Sequence, residues 1–276
     1  LSLPPYVPDH KKIREDQASL LEGILGVDQW LAAFLDDLEQ HKLSEDTIVF
    51  FGSARPKPQK VIDQELNEFK KRLNPENEIT GQQKSELSRL QRIQKLSKYY
   101  EEAVGLANKV SKWSRSENSS MRNCFVCSGG GPGIMEAANR GANETGARSI
   151  ALGISLPFEQ GVNQYADPEL SFEFHYFFIR KFYFLYHAKA VFVFPGGFGT
   201  MDELFETLTL IQTNKLQKKM PIYLYGKEFW EELINFEKFA EWGVISPDDL
   251  NLFKMVDNVD EALDSLISDI AFDSNT

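Results

Sequence analysis

Two kinds of apolar pattern alternate along this chain. Short continuous apolar runs end at glycine- or proline-rich turns, and longer segments carry apolar residues at helical spacing. A short apolar run closed by a turn fits a strand buried on both faces, as in a parallel sheet. Strands are predicted near Thr47–Phe51, Asn123–Ser128, Ser149–Ile154, 190–194, Pro221–Tyr225 and Leu252–Val256, with Phe172–His175 as a further short one. Helical patterns lie between them at 60–73, 83–113, 177–188, 228–240 and 259–270, the first two separated by the polar break Asn74–Gln82. This alternation predicts an α/β fold, a Rossmann-like doubly wound parallel sheet. Residues 13–42 carry Leu20, Leu21, Ile24, Leu25, Trp30, Leu31, Phe34, Leu35 and Leu38 at helical spacing, with Gly23 and Gly26 as breaks. Residues 1–46 therefore read as an N-terminal helical extension, 47–276 as the Rossmann-like domain, and 57–94 as a helical insertion within it.

The stretch Val191–Gln212, VFVFPGGFGTMDELFETLTLIQ, organises the rest. An apolar run enters the turn Pro195-Gly196-Gly197-Phe198-Gly199-Thr200, and Leu204, Leu208 and Ile211 place a helix from near Thr200. Glycines let a backbone approach a ligand, and the first N–H groups of a helix have no internal acceptor, so this turn reads as an anion site. Asp202 and Glu203 fall in the expected first turn. They would repel a phosphate, which places them against another part of the ligand, such as a sugar. A second strand–turn–helix unit runs through Gly129-Gly130-Gly131-Pro132-Gly133 into Ile134–Ala142. It lacks the third glycine of the dinucleotide fingerprint, where Ile134 stands, and lacks the Gly-Lys-Ser/Thr of a Walker loop. Two such turns suggest a mononucleotide at the carboxyl edge of the sheet. After the first strand, Gly52-Ser53-Ala54-Arg55 offers backbone donors, a hydroxyl and a planar guanidinium for a phosphate or a purine face.

Phe177–Ala188, FFIRKFYFLYHA, is apolar on nearly every side apart from Arg180 and Lys181. Such a helix is buried on more than one side, and a second subunit is one way to cover the face the sheet leaves. An Arg in so apolar a segment needs a partner: an acidic neighbour, or a substrate phosphate.

Composition narrows the chemistry. The 276 residues suffice for one large α/β domain with additions. A net charge of −11 argues against a nucleic-acid polymer as partner. The charge is uneven: residues 57–115 hold 13 Lys/Arg against 8 Asp/Glu. That is the balance of a solvated helical face, or of a surface for an acidic partner. No apolar run is long enough to span a membrane, and the opening LSLPPYVPDHKK has no signal-peptide core, so a cytoplasmic protein is expected. The chain begins at Leu1. Cys124 and Cys127, in a strand-like run, read as structural cysteines, and no second pair exists to build a zinc site.

Assembled, these residues resemble the LOG family, the cytokinin riboside 5′-monophosphate phosphoribohydrolases, many of them labelled "possible lysine decarboxylase". Pro195–Glu203 matches the family's PGGxGTxxE, Arg180-Lys181 its upstream Arg-Lys pair, and Ser128–Ala142 the GGGPGIMEAANRGA of longer bacterial members. Gly52–Arg55 fits the first-strand turn. The match runs over Thr47–Arg55 and about Ser97–Ile267, omitting the N-terminal helices and the insertion. The resemblance implies hydrolysis of the N-glycosidic bond of a nucleoside 5′-monophosphate, a homodimer, no metal and no cofactor. It implies Arg180 and Glu203 as the catalytic pair. Gly197, Gly199 and Thr200 would bind the 5′-phosphate, and Gly130, Gly131 and Gly133 would line the sugar–phosphate side. Gly52, Ser53, Arg55, Glu136, Lys181 and Gly196 complete the residues expected at the substrate. The insertion follows the turn expected to border the base, and Asp202 stands where plant-like members have Glu. A decarboxylase would need a Schiff-base lysine in a pyridoxal phosphate pocket, and no motif indicates one. The alternative is a regulator that binds a nucleotide in the same cleft without turnover, or a carrier on this fold.

Overall fold

The structure is a computed structural model, in which residues 47–73, 79–117, 119, 121, 124–155 and 161–273 are described here. The N-terminal helices expected at 13–42, most of the polar break after residue 73, and the start of the loop after β3 lie outside the described residues.

Seven strands form one parallel sheet: β1 (Thr47–Phe51), β2 (Phe125–Ser128), β3 (Ser149–Ile154), β4 (Ser171–Phe174), β5 (Ala188–Val193), β6 (Ile222–Tyr225) and β7 (Lys254–Val256). Their order across the sheet is β4-β3-β2-β1-β5-β6-β7. The chain runs outward from β1 to β4, then returns to the far side of β1 with β5. The order therefore reverses at β1/β5, and the connections leaving the carboxyl ends there diverge and leave a crevice. All five β1 residues are buried, which explains the unbroken apolar run. Phe50, Phe192 and Tyr223 occupy paired positions on adjacent strands, with ring centroids 5.5 and 4.7 Å apart. Phe194 stacks on Tyr225 at 4.4 Å.

Helix α1 (Gln59–Arg72) and α2 (Gly81–Ser114) follow β1. α2 starts with a capping box, Thr80 with Gln83, which satisfies two end donors at once. Ile62 and Leu66 of α1 pack with Leu90 and Ile93 of α2 in an apolar cluster of their own. Farther along, Tyr99–Val110 of α2 joins the main core on the aromatic face of the sheet, with α3 (Ile134–Asn143) and α8 (Val259–Asp273). α4 (Phe177–His187) lies on the opposite face, where Phe184 meets Phe51 edge-on at 5.0 Å. α5 (Phe198–Gln212), α6 (Lys227–Leu233) and α7 (Phe236–Glu241) complete the described helices.

One expectation changes, at the start of α5. Gly197 is the residue before α5, so the helix starts at Phe198. Asp202 and Glu203 thus sit one turn in, clear of the N-terminal N–H groups. In the single chain α4 buries Arg180, Tyr183, Phe184, Leu185 and His187, but leaves Phe178 68%, Phe182 55% and Tyr186 49% exposed. These three recur at i, i+4 and i+8, so one continuous apolar stripe of α4 faces outward.

Phe192→Ala should cost about 3–5 kcal/mol, because a fully buried ring in the aromatic stack leaves a cavity between rigid strands. Chemical denaturation reads the loss.

Candidate functional site

The three glycine turns meet through one residue. The Ser53 N–H donates to Pro195 O at 3.1 Å, and Ser53 O accepts from Ile134 N–H at 3.0 Å. The Ser53 hydroxyl accepts from Arg55 N–H at 3.1 Å. Turns after β1, β2 and β5 are thereby fastened together by backbone. The glycines make the approach possible. Gly133 has φ +72°, and a Cβ there would lie 2.3 Å from Ser53 O. A Cβ at Gly196 would lie 2.1 Å from the Thr200 hydroxyl oxygen, and one at Gly52 would strike the Ile134 side chain at 2.8 Å.

Above the meeting point lies a cavity of about 470 Å³. Its floor is Gly52, Ser53, Gly129, Gly131, Gly197 and Gly199, with Arg55 at the rim. Ile154, Val162, Phe172 and Phe177 give it an apolar side, interrupted by Ser171 and Glu173. Thr200, Arg180 and Glu203 close the remaining side. The first bond within α5 is donated by Met201 N–H to Gly197 O at 2.9 Å, and no side chain caps the helix. Preceding N–H groups have no acceptor inside the helix, so this end of the cavity is electropositive.

Arg180 and Glu203 face each other from α4 and α5, Nη2 to Oε1 3.2 Å, with side chains only 9% and 13% exposed. The guanidinium lies against the rings of Phe177 and Phe184, 5.4 and 5.5 Å from their centroids. Burial raises Glu203 to about 7, against the pull of Arg180. Asp202 and Glu206 push it the same way as burial, and Lys181 opposes them. A carboxyl group so placed titrates near neutrality, as acid–base groups at reactive sites do.

Two residues expected at the substrate are engaged elsewhere. Glu136 accepts the Tyr100 hydroxyl at 2.6 Å, and burial with that carboxylate beside it holds the Tyr100 phenol well above its ordinary range. Lys181 is bound by Asp202 and Glu206, at 3.0 and 2.6 Å. Neither lines the cavity. Gly130, Gly133 and Gly196 shape the turns from beneath rather than lining it. A buried polar network that sequence reasoning missed holds the β2 turn. Asn163 donates to Gly130 O and to Asn139 Oδ1, at 3.0 and 2.9 Å. Ser128 donates to Asn139 at 2.7 Å and accepts from Gly130 N–H at 3.1 Å. The only hint in sequence is an Asn in a loop, a residue type that bonds its own turn: Asn163 Oδ1 accepts from Tyr165 N–H at 3.1 Å. Cys124 and Cys127 are both buried. Among the described residues no cluster of three or more His, Cys, Asp or Glu could hold a metal ion, and no helix is long and apolar enough to cross a membrane.

Residues 135–266 match the family model described as "Possible lysine decarboxylase". Two plant proteins align at 28% identity. One is the "Probable cytokinin riboside 5′-monophosphate phosphoribohydrolase LOG4" of Oryza sativa subsp. japonica, matched over 146 residues, 51% of this chain and 61% of its own length. The other is the "Cytokinin riboside 5′-monophosphate phosphoribohydrolase LOG3" of Arabidopsis thaliana, over 158 residues, 55% of this chain and 67% of its own. Both relatives carry the LOG name, and the chain is similar to that family across its carboxyl-terminal half. The family match includes Arg180 and Glu203 and begins beyond the β1 turn, which supplies Ser53 and Arg55 to the same cavity. Two solved structures are similar at lower identity. The molybdenum cofactor binding protein from Rippkaea orientalis is 14% identical with a TM-score of 0.46, covering 82% of this chain and 96% of that one. The Moco Carrier Protein from Chlamydomonas reinhardtii is 14% identical with a TM-score of 0.45, covering 82% and 98%. Among the described residues the cavity lining contains no lysine, the side chain a Schiff-base mechanism uses.

Gly133→Ala combines a strained φ with a backbone collision, whereas Gly146, at φ +70°, has nothing within 4 Å of a Cβ. Strain at such a φ costs on the order of 1–3 kcal/mol. Gly133→Ala should therefore lose clearly more stability than Gly146→Ala, by denaturant titration of both.

Proposed function

We propose that this protein hydrolyses the N-glycosidic bond of a nucleoside 5′-monophosphate, AMP or a cytokinin riboside monophosphate among the candidates, to the free base and ribose 5-phosphate. The observation that carries the reading is the buried Arg180–Glu203 pair, 3.2 Å apart, beside the uncapped start of α5 in one cavity. The phosphate takes the N–H groups at the α5 start and the Thr200 hydroxyl. The base lies towards the apolar wall or the Arg55 rim. As the C1′–N bond breaks, its electron pair goes to the base and positive charge grows on the ribose, as in glycoside hydrolysis generally. The Glu203 carboxylate opposes that charge and takes the proton of the water that adds to C1′. Arg180 offsets the negative charge on the leaving base or the phosphate. The base nitrogen is protonated from solvent. No other component is required by this chemistry. The plant relatives are named for the same reaction on cytokinin riboside monophosphates. A nucleoside monophosphate is a cytoplasmic metabolite, which is the compartment this reading implies.

Asp202 is 59% exposed and turned to Lys181, so it is not the reacting carboxylate. Glu203→Gln should lower kcat on the order of 10²–10³-fold with little change in KM, since it removes a group that acts on the transition state. Arg180→Ala should lower kcat and also raise KM, and Asp202→Asn should stay within a few-fold of wild type. Base release from AMP at saturating and limiting substrate separates these. A collapse in Asp202→Asn with normal turnover in Glu203→Gln would reverse the assignment. No base release by the wild type from any monophosphate would favour the binding protein without turnover.

The same reading includes a homodimer, in which a second copy covers Phe178, Phe182 and Tyr186. Light scattering at micromolar concentration should give twice the chain mass, and Phe178→Glu with Phe182→Lys should give the monomer.

A further inference from the structure

Lys181 follows Arg180 in the chain but serves a different side of the helix pair. Its ammonium lies 3.0 Å from Asp202 Oδ2 and 2.6 Å from Glu206 Oε2, with 16% of the side chain exposed. Those two carboxylates flank Glu203, one residue before it and one turn after it. Two cations on α4 thus face three carboxylates on α5. Like charges disfavour ionisation of a neighbour, and opposite charges restore it. Asp202 and Glu206 press Glu203 towards its neutral acid, in addition to burial, and Lys181 with Arg180 presses back. Lys181 itself stays charged: burial pulls it down, but the bonds to Glu206 and Asp202 hold it above its ordinary value. The one other carboxylate in the described cavity lining, Glu173 on β4, is exposed to solvent. Cys127 on β2 is a thiol kept neutral by burial, and Arg55 on the β1 turn is exposed at the rim.

We propose that Lys181 is a positioning residue for Glu203 rather than a contact of the substrate. By clamping Asp202 and Glu206 on the outer edge of α5, it cancels the charge of the carboxylates beside Glu203. The same clamp holds α4 against α5, so that the Arg180 guanidinium stays opposite Glu203. Reaching a phosphate in the cavity would require Lys181 to leave both carboxylates. The proposal rests on the hydrolase reading for what Glu203 does, while the charge arrangement itself is read from the structure.

The test is the titration midpoint of the Glu203 carboxyl, by ¹³C NMR of protein labelled at Glu Cδ and assigned by the signal lost in Glu203→Gln. Lys181→Met should raise the midpoint, by on the order of one pH unit for a neighbouring charge. Asp202→Asn should lower it, the double variant should return towards wild type, and Lys181→Arg should keep the wild-type value. Base release from AMP should follow, with the rising limb of kcat against pH displaced upward in Lys181→Met and activity regained at alkaline pH. Unmoved midpoints in Lys181→Met and Asp202→Asn overturn the proposal. So does a higher KM for Lys181→Met with an unmoved midpoint, which would make it a substrate contact. If Lys181→Met does not fold, the opposite shift in Asp202→Asn decides. The NMR reading needs no substrate, so midpoints that move as stated support the role of Lys181 even where no monophosphate is cleaved.

Discussion

The site depends on a backbone convergence at Ser53. Its N–H and C=O are spent on the turns after β5 and β2, so three loops that are distant in sequence become one surface. Such contact needs the absence of side chains where the chains cross. Gly133 lies against Ser53 O, and Gly196 against Thr200. The parallel sheet supplies the reason the loops meet at all. Every strand ends at the same edge, and the reversal of strand order at β1/β5 opens the crevice above them. The glycines therefore do two jobs. Those beneath the turns permit packing, and those on top, such as Gly131, Gly197 and Gly199, leave room for a ligand.

Upon that floor the helices impose electrostatics. α4 and α5 present alternating charges to each other, Arg180 to Glu203 inside and Lys181 to Asp202 and Glu206 outside. Burial alone would make Glu203 a poor anion, and its neighbours set how far it departs from an ordinary carboxyl group. A helix pair with a buried face and an exposed face allows this division. The inner pair is shielded and strongly coupled, and the outer pairs are partly hydrated and act as ballast.

Sheet and turns were legible in sequence because parallel strands buried on both faces read as unbroken apolar runs closed by glycine. Thr47–Phe51 and Val191–Phe194 are the clear cases. The start of α5 was less so, since a glycine can precede a helix or open it, and only the backbone shows that Gly197 stands outside. Lys181 lies outside the cavity lining for a helical reason. Successive helix residues point about 100° apart, so adjacency to Arg180 in a motif does not put Lys181 in the same cavity. The exposed stripe of α4 was hidden because an all-round apolar helix does not say which of its faces the chain itself covers. Asn163 and Asn139 were missed because loop-bound hydrogen-bonding residues leave no periodic trace.

The Arg180–Glu203 pair also constrains how a phosphate can be held. A dianion at the α5 start would compete for Arg180 and, by repulsion, press Glu203 further towards its neutral form. Both effects oppose an anionic Glu203 at the moment the ribose becomes cationic. The arrangement answers this in two ways. In the proposed reading phosphate binding falls mainly on backbone N–H groups and Thr200, which carry partial charge rather than a mobile cation, so Arg180 need not leave Glu203 completely. The carboxylates next to Glu203 are neutralised from outside by Lys181, which the phosphate does not reach. On the proposed reading, the second cation on α4, paired with Asp202 and Glu206, is what lets binding and ionisation coexist.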